Sequence, residues 1–161
     1  MATLILMCGL PGSGKTTLAR RLERERHALR LTPDEWITRL FGDNLTPPTL
    51  DWCRGPVEAV QWSVAERALA LGVDVVLDFG FWSRVEREEF RARAEDLGVG
   101  SEVHFLDVPR EVLSARLAAR NADLPPHTFH VTEAQLELWW NLFEPPSTDE
   151  LQPRRRDQFN G

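Results

Sequence analysis

Residues 3–8, TLILMC, are an unbroken apolar run, and Gly9-Leu10-Pro11-Gly12-Ser13-Gly14-Lys15-Thr16 follows at once. An apolar run without polar alternation is a strand buried on both faces, which belongs inside a parallel sheet covered by helices. The glycines let the backbone turn its N–H groups inward, where side chains would block them. The segment matches G-x-x-x-x-G-K-[ST], with a strand before it and a helix from about residue 15 to 27 after it, the context that motif requires. In this arrangement Gly9, Gly12, Ser13, Gly14 and the following Thr17 surround a phosphate chain, and the helix adds its positive end. Lys15 reaches the β and γ phosphates of a nucleotide, and the Thr16 hydroxyl ligates Mg²⁺. A plain glycine-rich turn is the competing reading, and four fixed positions in the right context weigh against it. The loop by itself implies a bound nucleotide, not a reaction.

Downstream, strands and helices alternate. Residues 28–31 read as a second strand, and Thr32 with Glu35 as a capping box that opens a helix to Phe41, Pro33 taking its first position. Residues 43–55 read as irregular, 56–71 as a helix and 73–79 as a third strand. Ser83 and Glu86 form a second capping box for a helix to Leu97, and residues 102–107 a fourth strand. A helix from Pro109 carries Arg110, Arg116 and Arg120; a proline-containing loop follows; Thr132 and Gln135 cap a last helix to Phe143. Everything beyond is polar and is expected to be loosely held. This alternation predicts an α/β three-layer sandwich with right-handed crossovers and a parallel sheet. Residues 1–150 form one domain with a lid at about 116–131, and 151–161 a polar tail.

Composition narrows the setting. The net charge of −6 argues against a free nucleic-acid partner without excluding one. No apolar run approaches the ~18 residues of a membrane span. Cys8 and Cys53 are the only cysteines, too few for a disulfide framework, so a cytoplasmic location is expected.

Asp34 lies just past the second strand, on the rim where open parallel sheets bind ligands. A carboxylate there can take a proton from an attacking hydroxyl, or can simply favour the helix dipole; position alone leaves both open. Arg39, five residues on, is a candidate for the same cleft. Phe81 and Trp82 follow a strand end and are candidates for a substrate wall. Arg116 and Arg120, four apart, share one helix face.

The loop, the strand after it and the pattern T-x-D-x-W-x-x-x-L-x-G from Thr32 to Gly42 resemble the small P-loop kinases related to polynucleotide 5′-kinase, zeta toxins and chloramphenicol phosphotransferase. The resemblance implies the strand order 2-3-1-4. It makes Asp34 the general base and Arg39 an acceptor contact. It sets Asp78, at the end of the third strand, beside the phosphate loop to hold Mg²⁺ water or a substrate hydroxyl. Arg116 and Arg120 look like the R-x-x-x-R lid of adenylate-kinase-type enzymes, in which the first arginine packs on adenine and the second contacts phosphate. These kinases usually add a fifth strand after a segment like FEPPSTDEL. Here QPRRRDQFNG is not a strand, so either the C-terminus is shortened or partners complete the sheet, and a homodimer is compatible with an open edge.

The expected function is Mg-dependent transfer of the ATP γ-phosphoryl group to a hydroxyl of a small molecule. The alternatives are a 5′-hydroxyl kinase for nucleosides or oligonucleotides and, in another class, a nucleotide-sensing or slowly hydrolysing ATP-binding module. Lys15 is the only lysine, so amine-directed reagents have only it and the amino terminus to modify. ATP with Mg²⁺ is expected to protect Lys15; equal labelling rates with and without saturating nucleotide would exclude the phosphate-loop assignment.

Overall fold

The structure, a computed structural model, describes residues 1–155. In chain order the elements are β1 (Thr3–Cys8), α1 (Lys15–Arg26), β2 (Leu29–Leu31), α2 (Pro33–Phe41), α3 (Pro47–Ala70), β3 (Val75–Gly80), α4 (Arg84–Asp96), β4 (Gly100–Phe105), α5 (Arg110–Ala122) and α6 (Glu133–Leu142). The strands form one parallel sheet in the order β2-β3-β1-β4, as expected. Leu6 of β1 stands between Leu77 of β3 and Val103 of β4, so β1 is a central strand. Its alternation sorts the layers. Leu4, Leu6 and Cys8 pack with Trp62, Ala65 and Leu69 of α3 and Ala94 of α4. Ile5 and Met7 pack with Ala19 and Leu22 of α1 on the opposite face. The ends of β1, β2 and β3 therefore open on one rim, where the phosphate loop and Asp34 lie.

Three expectations are corrected. Residues 47–55 are helical rather than irregular: α3 starts at Pro47 and runs through Gly55 and Pro56. Proline at the first helical positions costs nothing, because those N–H groups have no partner within the helix. Cys53 and Val57, buried against Ile37 of α2, offset the internal proline through tertiary packing that local propensity does not record. Second, Thr32 precedes α2 but its side chain makes no cap, and Glu35 instead pairs with Arg30 at 2.9 Å.

Third, the chain beyond Phe143 is not loosely held up to residue 155; residues 156–161 of the expected polar tail lie outside the described residues. The arginines of α4 grip it. Arg87 and Glu150, 0% and 1% exposed, pair through Nε–Oε1 at 2.7 Å and Nη2–Oε2 at 3.3 Å. Arg87 Nη1 also donates to the carbonyls of Phe81 and Glu144, both at 2.9 Å. Arg91 donates to the carbonyls of Glu150 and Gln152. Further on, Ser101 of β4 and Arg154 exchange backbone bonds of 2.8 and 2.9 Å in an antiparallel bridge. The chain's own C-terminal segment thus covers part of the edge where a fifth strand would pair.

Removing one partner of a buried ion pair leaves an uncompensated charge. Glu150→Ala is expected to lose about 3–5 kcal/mol in denaturant unfolding. Asp149→Ala, which removes only exposed contacts to Arg84 and Ser147, is expected to lose far less. Equal losses would mean that the buried pair does not hold the segment.

Candidate active site

The phosphate loop is fixed at both ends. Gly9 N–H donates to the Gly80 carbonyl at 2.9 Å, tying the loop to the end of β3, and Leu18 N–H donates to the Gly14 carbonyl at 3.1 Å as α1 begins. Gly12 and Gly14 hold φ of 83° and 95°, a left-handed conformation that side chains disfavour. A Cβ on Gly12 would also stand 3.1 Å from Leu117 of α5. Lys15 Nζ donates to the Leu10 carbonyl at 3.1 Å. Burial lowers the Lys15 pKa, while the Asp78 and Asp34 carboxylates raise it. The ammonium is therefore within electrostatic reach of both carboxylates. Ser13 is buried, and its hydroxyl has no partner among the described residues. Thr17, next on α1, is exposed. Cys8 is inert by comparison: its thiol faces the Phe81 carbonyl at 3.3 Å, and burial pushes its pKa up to about 11.

Asp78 lies on β3 two residues before its end, and its side chain reaches the start of α1. Its Oδ2 accepts from Thr16 Oγ1 at 2.7 Å and from Thr32 Oγ1 at 3.1 Å. Burial raises its pKa, and Lys15 with the two hydroxyls opposes the rise. Oδ1 is buried with no partner among the described residues. An orphaned carboxylate oxygen next to a threonine hydroxyl fits a hard cation such as Mg²⁺, which takes few protein oxygens and completes its shell with water and phosphate. The described residues contain no cluster of His, Cys, Asp and Glu able to hold a metal alone. A metal here would depend on Thr16, Asp78 and the nucleotide's own oxygens. The Thr32 contact carried no signal in the sequence beyond a cap pattern.

Asp34 occupies the first turn of α2, and its Oδ1 accepts from Arg54 Nη2 of α3 at 2.6 Å. Burial lowers the Arg54 pKa, but Asp34 and Glu58 more than reverse it. Arg39 is not brought to Asp34: its side chain is 66% exposed and pairs with Glu35 at 3.4 Å. Arg54 was missed because it falls in the stretch read as irregular. Glu58, one turn along α3, lies 3.9 Å from Arg54. Burial, then Glu86 and Asp34, push its pKa up to about 7 against the pull of Arg54.

Arg116 turns to the phosphate loop, and Arg120 to the segment that follows α5. Arg116 Nη1 donates to the carbonyls of Gly12 at 3.2 Å and Ser13 at 3.5 Å. Arg120 Nη2 donates to the Phe129 carbonyl at 3.2 Å; its pKa is lowered by burial and raised by the Asp34 carboxylate. The segment after α5 crosses to α2: His127 Nδ1 stands 2.5 Å from Thr38 Oγ1, and Phe129 packs against Ile37, Cys53 and Val57. The two aromatic candidates lie elsewhere. Phe81 is a buried core residue stacked with Phe79. Trp82 packs on Trp139 at 5.5 Å, in the cluster of Leu10, Leu113 and Leu117 under the loop.

A family model described as an AAA domain matches residues 4–146, from β1 to the segment beyond α6. The chain belongs to this AAA domain family. Solved structures agree on a P-loop kinase-like fold. A chain of the Pnkp1/Rnl/Hen1 RNA repair complex superposes with a TM-score of 0.67 at 20% identity; 96% of this chain covers 48% of that one, about half its length. A gluconokinase from Sinorhizobium meliloti 1021 gives 0.59 at 21%, over 92% of this chain and 79% of that one. Chaetomium thermophilum Kti12, in complex with ADP-AlF3, gives 0.66 at 19%, over 89% and 81%. No curated protein matches in sequence. The matched AAA domain ends before Glu150, so the buried carboxylate that fastens the C-terminal segment lies outside it. No helix among the described residues is long and apolar enough to cross a membrane.

Glu58 faces Arg54, Asp34 and Glu86, and its pKa near 7 stands above its ordinary 4.5. The folded protein therefore holds a proton that the unfolded chain releases, and stability falls as pH rises from about 4.5 to about 7. Glu58→Gln is expected to remove that fall and to exceed the parent by about 2–3 kcal/mol at pH 8, with near equality at pH 4.5. Parallel stability–pH curves for the two proteins would contradict the shift.

Proposed function

We propose that this AAA domain is a kinase that transfers the γ-phosphoryl group of ATP to a hydroxyl of a small molecule. The observation that carries the reading is convergence. Lys15 feels both Asp78 and Asp34, and Arg120 feels Asp34, so a nucleotide-side cation, a candidate metal carboxylate, a candidate base and a lid arginine share one cleft.

In this reading the loop amides and Lys15 hold the β and γ phosphates, and Ser13 supplies a further hydroxyl. Thr16 and Asp78 would hold Mg²⁺, which would offset phosphate charge there. Arg54 takes Asp34 Oδ1 and orients the carboxylate, so that Oδ2 accepts the proton of the acceptor hydroxyl. The hydroxyl oxygen forms the new bond to the γ phosphorus as the bond to the β-phosphate oxygen breaks, and ADP leaves. Arg120 offsets charge on the transferring group, and the lid over α2 excludes water. Arg116 stays on the loop side, toward the nucleotide.

Asp34→Asn separates chemistry from binding. ATP affinity should stay nearly unchanged, while ADP release stimulated by a hydroxyl acceptor should drop ~10²–10⁴-fold, the usual contribution of a positioned base. Full turnover in the variant would reduce Asp34 to a helix-end acid. A panel of hydroxyl compounds that never stimulates ADP release would favour a nucleotide-binding module with no acceptor.

A further inference from the structure

The acceptor side of the cleft is built from one stripe of α3. Arg54, Glu58 and Gln61 stand at i, i+4 and i+7, so their side chains share a helix face. Asp34 joins the stripe through its 2.6 Å contact to Arg54. Glu86, in the first turn of α4, faces it closely enough to raise the Glu58 pKa. Glu86 is itself held by the backbone of Trp82 and Ser83, so it contributes charge more than a free hydrogen-bonding group.

Gln61 is the unexplained member. It is 0% exposed, and neither its amide nitrogen nor its amide oxygen has a partner among the described residues. A buried amide with both ends unpaired is costly and uncommon in folded proteins. Around it the only guanidinium of the stripe is already engaged by Asp34 and, at 3.9 Å, by Glu58. Three carboxylates, Asp34, Glu58 and Glu86, thus meet on this side of the cleft with one committed guanidinium among them, while Lys15 and Arg120 act on Asp34 from the phosphate-loop side and Arg87, itself paired with Glu150, acts on Glu86.

We propose that the phosphoryl acceptor is an uncharged polyhydroxylated compound, bound by Glu58 and Gln61 through hydroxyl groups neighbouring the one that is phosphorylated. A hydroxyl donates to a carboxylate and accepts from an amide N–H, so it satisfies both residues at once. Above about pH 7, where Glu58 is ionised, a phosphate or carboxylate on the acceptor meets the carboxylates of the stripe and finds no uncommitted arginine there; like-charge placement and an unpaired buried anion are both costly. Glu58 and Gln61 are then specificity-determining residues. This inference rests on the kinase reading of the cleft.

The test uses two matched pairs, glucitol with gluconate and adenosine with adenosine 3′-phosphate. Each is titrated calorimetrically, at a pH well above 7 so that Glu58 is ionised, into the full chain loaded with Mg²⁺ and a non-hydrolysable ATP analogue, and each is assayed separately for ADP release from ATP. At least one neutral member is expected to bind, with its anionic partner at least about tenfold weaker. Glu58→Gln should narrow that gap by weakening the rejection of the anion. Gln61→Leu should weaken the neutral compound about tenfold without loss of thermal stability, because it removes a buried amide that is unpaired in the free protein. An anionic member that binds as tightly as its neutral partner overturns the proposal. So does the failure of both neutral compounds to bind, or a Gln61→Leu variant with unchanged affinity. Selective binding without stimulated ADP release would leave the binding site standing and remove the kinase reading alone.

Discussion

The Asp78 carboxylate, buried at the end of β3, accepts from Thr16 on one side and Thr32 on the other. Thr16 opens α1 directly after the phosphate loop, and Thr32 leads into α2, whose first turn carries Asp34. One oxygen therefore fixes the spacing between the phosphate loop and the first turn of α2. The parallel order β2-β3-β1 makes this contact attainable, since β3 lies between the two strands whose ends it joins. The other oxygen of the same group stays buried and unpaired, and Lys15 supplies the nearest compensating charge. A carboxylate held this way is costly to bury in the free protein, and a cation or a ligand hydroxyl relieves the cost.

A second chain of contacts reaches the loop from behind. The Phe81 carbonyl accepts from Arg87 and from the Cys8 thiol, and Phe81 itself holds φ 47°, an uncommon backbone for a bulky residue. Its neighbour Gly80 accepts from the first N–H of the phosphate loop. Arg87 in turn is paired with Glu150, so the C-terminal segment supports the turn on which the loop is anchored. Buried ion pairs are poor sources of net stability compared with apolar packing, but breaking one is expensive. The pair is best understood as a device that seats the segment in one place.

The wall of the cleft beside Asp34 is assembled differently from the phosphate loop. The phosphate loop is local, a run of consecutive residues whose backbone does the binding. The wall beside Asp34 is composite: α2 gives one carboxylate, α3 a guanidinium, a carboxylate and an amide, and the segment after α5 lays Phe129 and His127 across them. These pieces are tied by contacts between side chains of different elements, the Asp34–Arg54 pair and the His127–Thr38 contact among them, and not by consecutive backbone.

That difference decides what could be read in advance. The apolar run of β1, the glycine spacing and the Lys15-Thr16 pair are contiguous, so the strand, the loop and the alternating architecture followed from the sequence alone. Asp34 was legible as a candidate because strand ends in a parallel sheet share one rim, and Asp78 was placed beside the loop through the family resemblance. Arg39 was not placed correctly by sequence spacing: five residues along a helix rotate a side chain about 140° away, so it reaches solvent rather than Asp34. Arg54 takes that place from a helix whose start, Pro47-Pro48 with Gly55-Pro56 inside it, reads locally as irregular. The cap pattern at Thr32 was equally misleading, since its hydroxyl found a carboxylate 46 residues away instead of its own helix. The tail was read as loose because its residues are polar, yet Arg87 and Arg91 fasten it through the buried Glu150 and the carbonyls of Glu144, Glu150 and Gln152. Periodicity and turn chemistry act between near neighbours along the chain and are written in order. The partner of a long charged side chain is set by distance in space, and only the packed helices fix that distance.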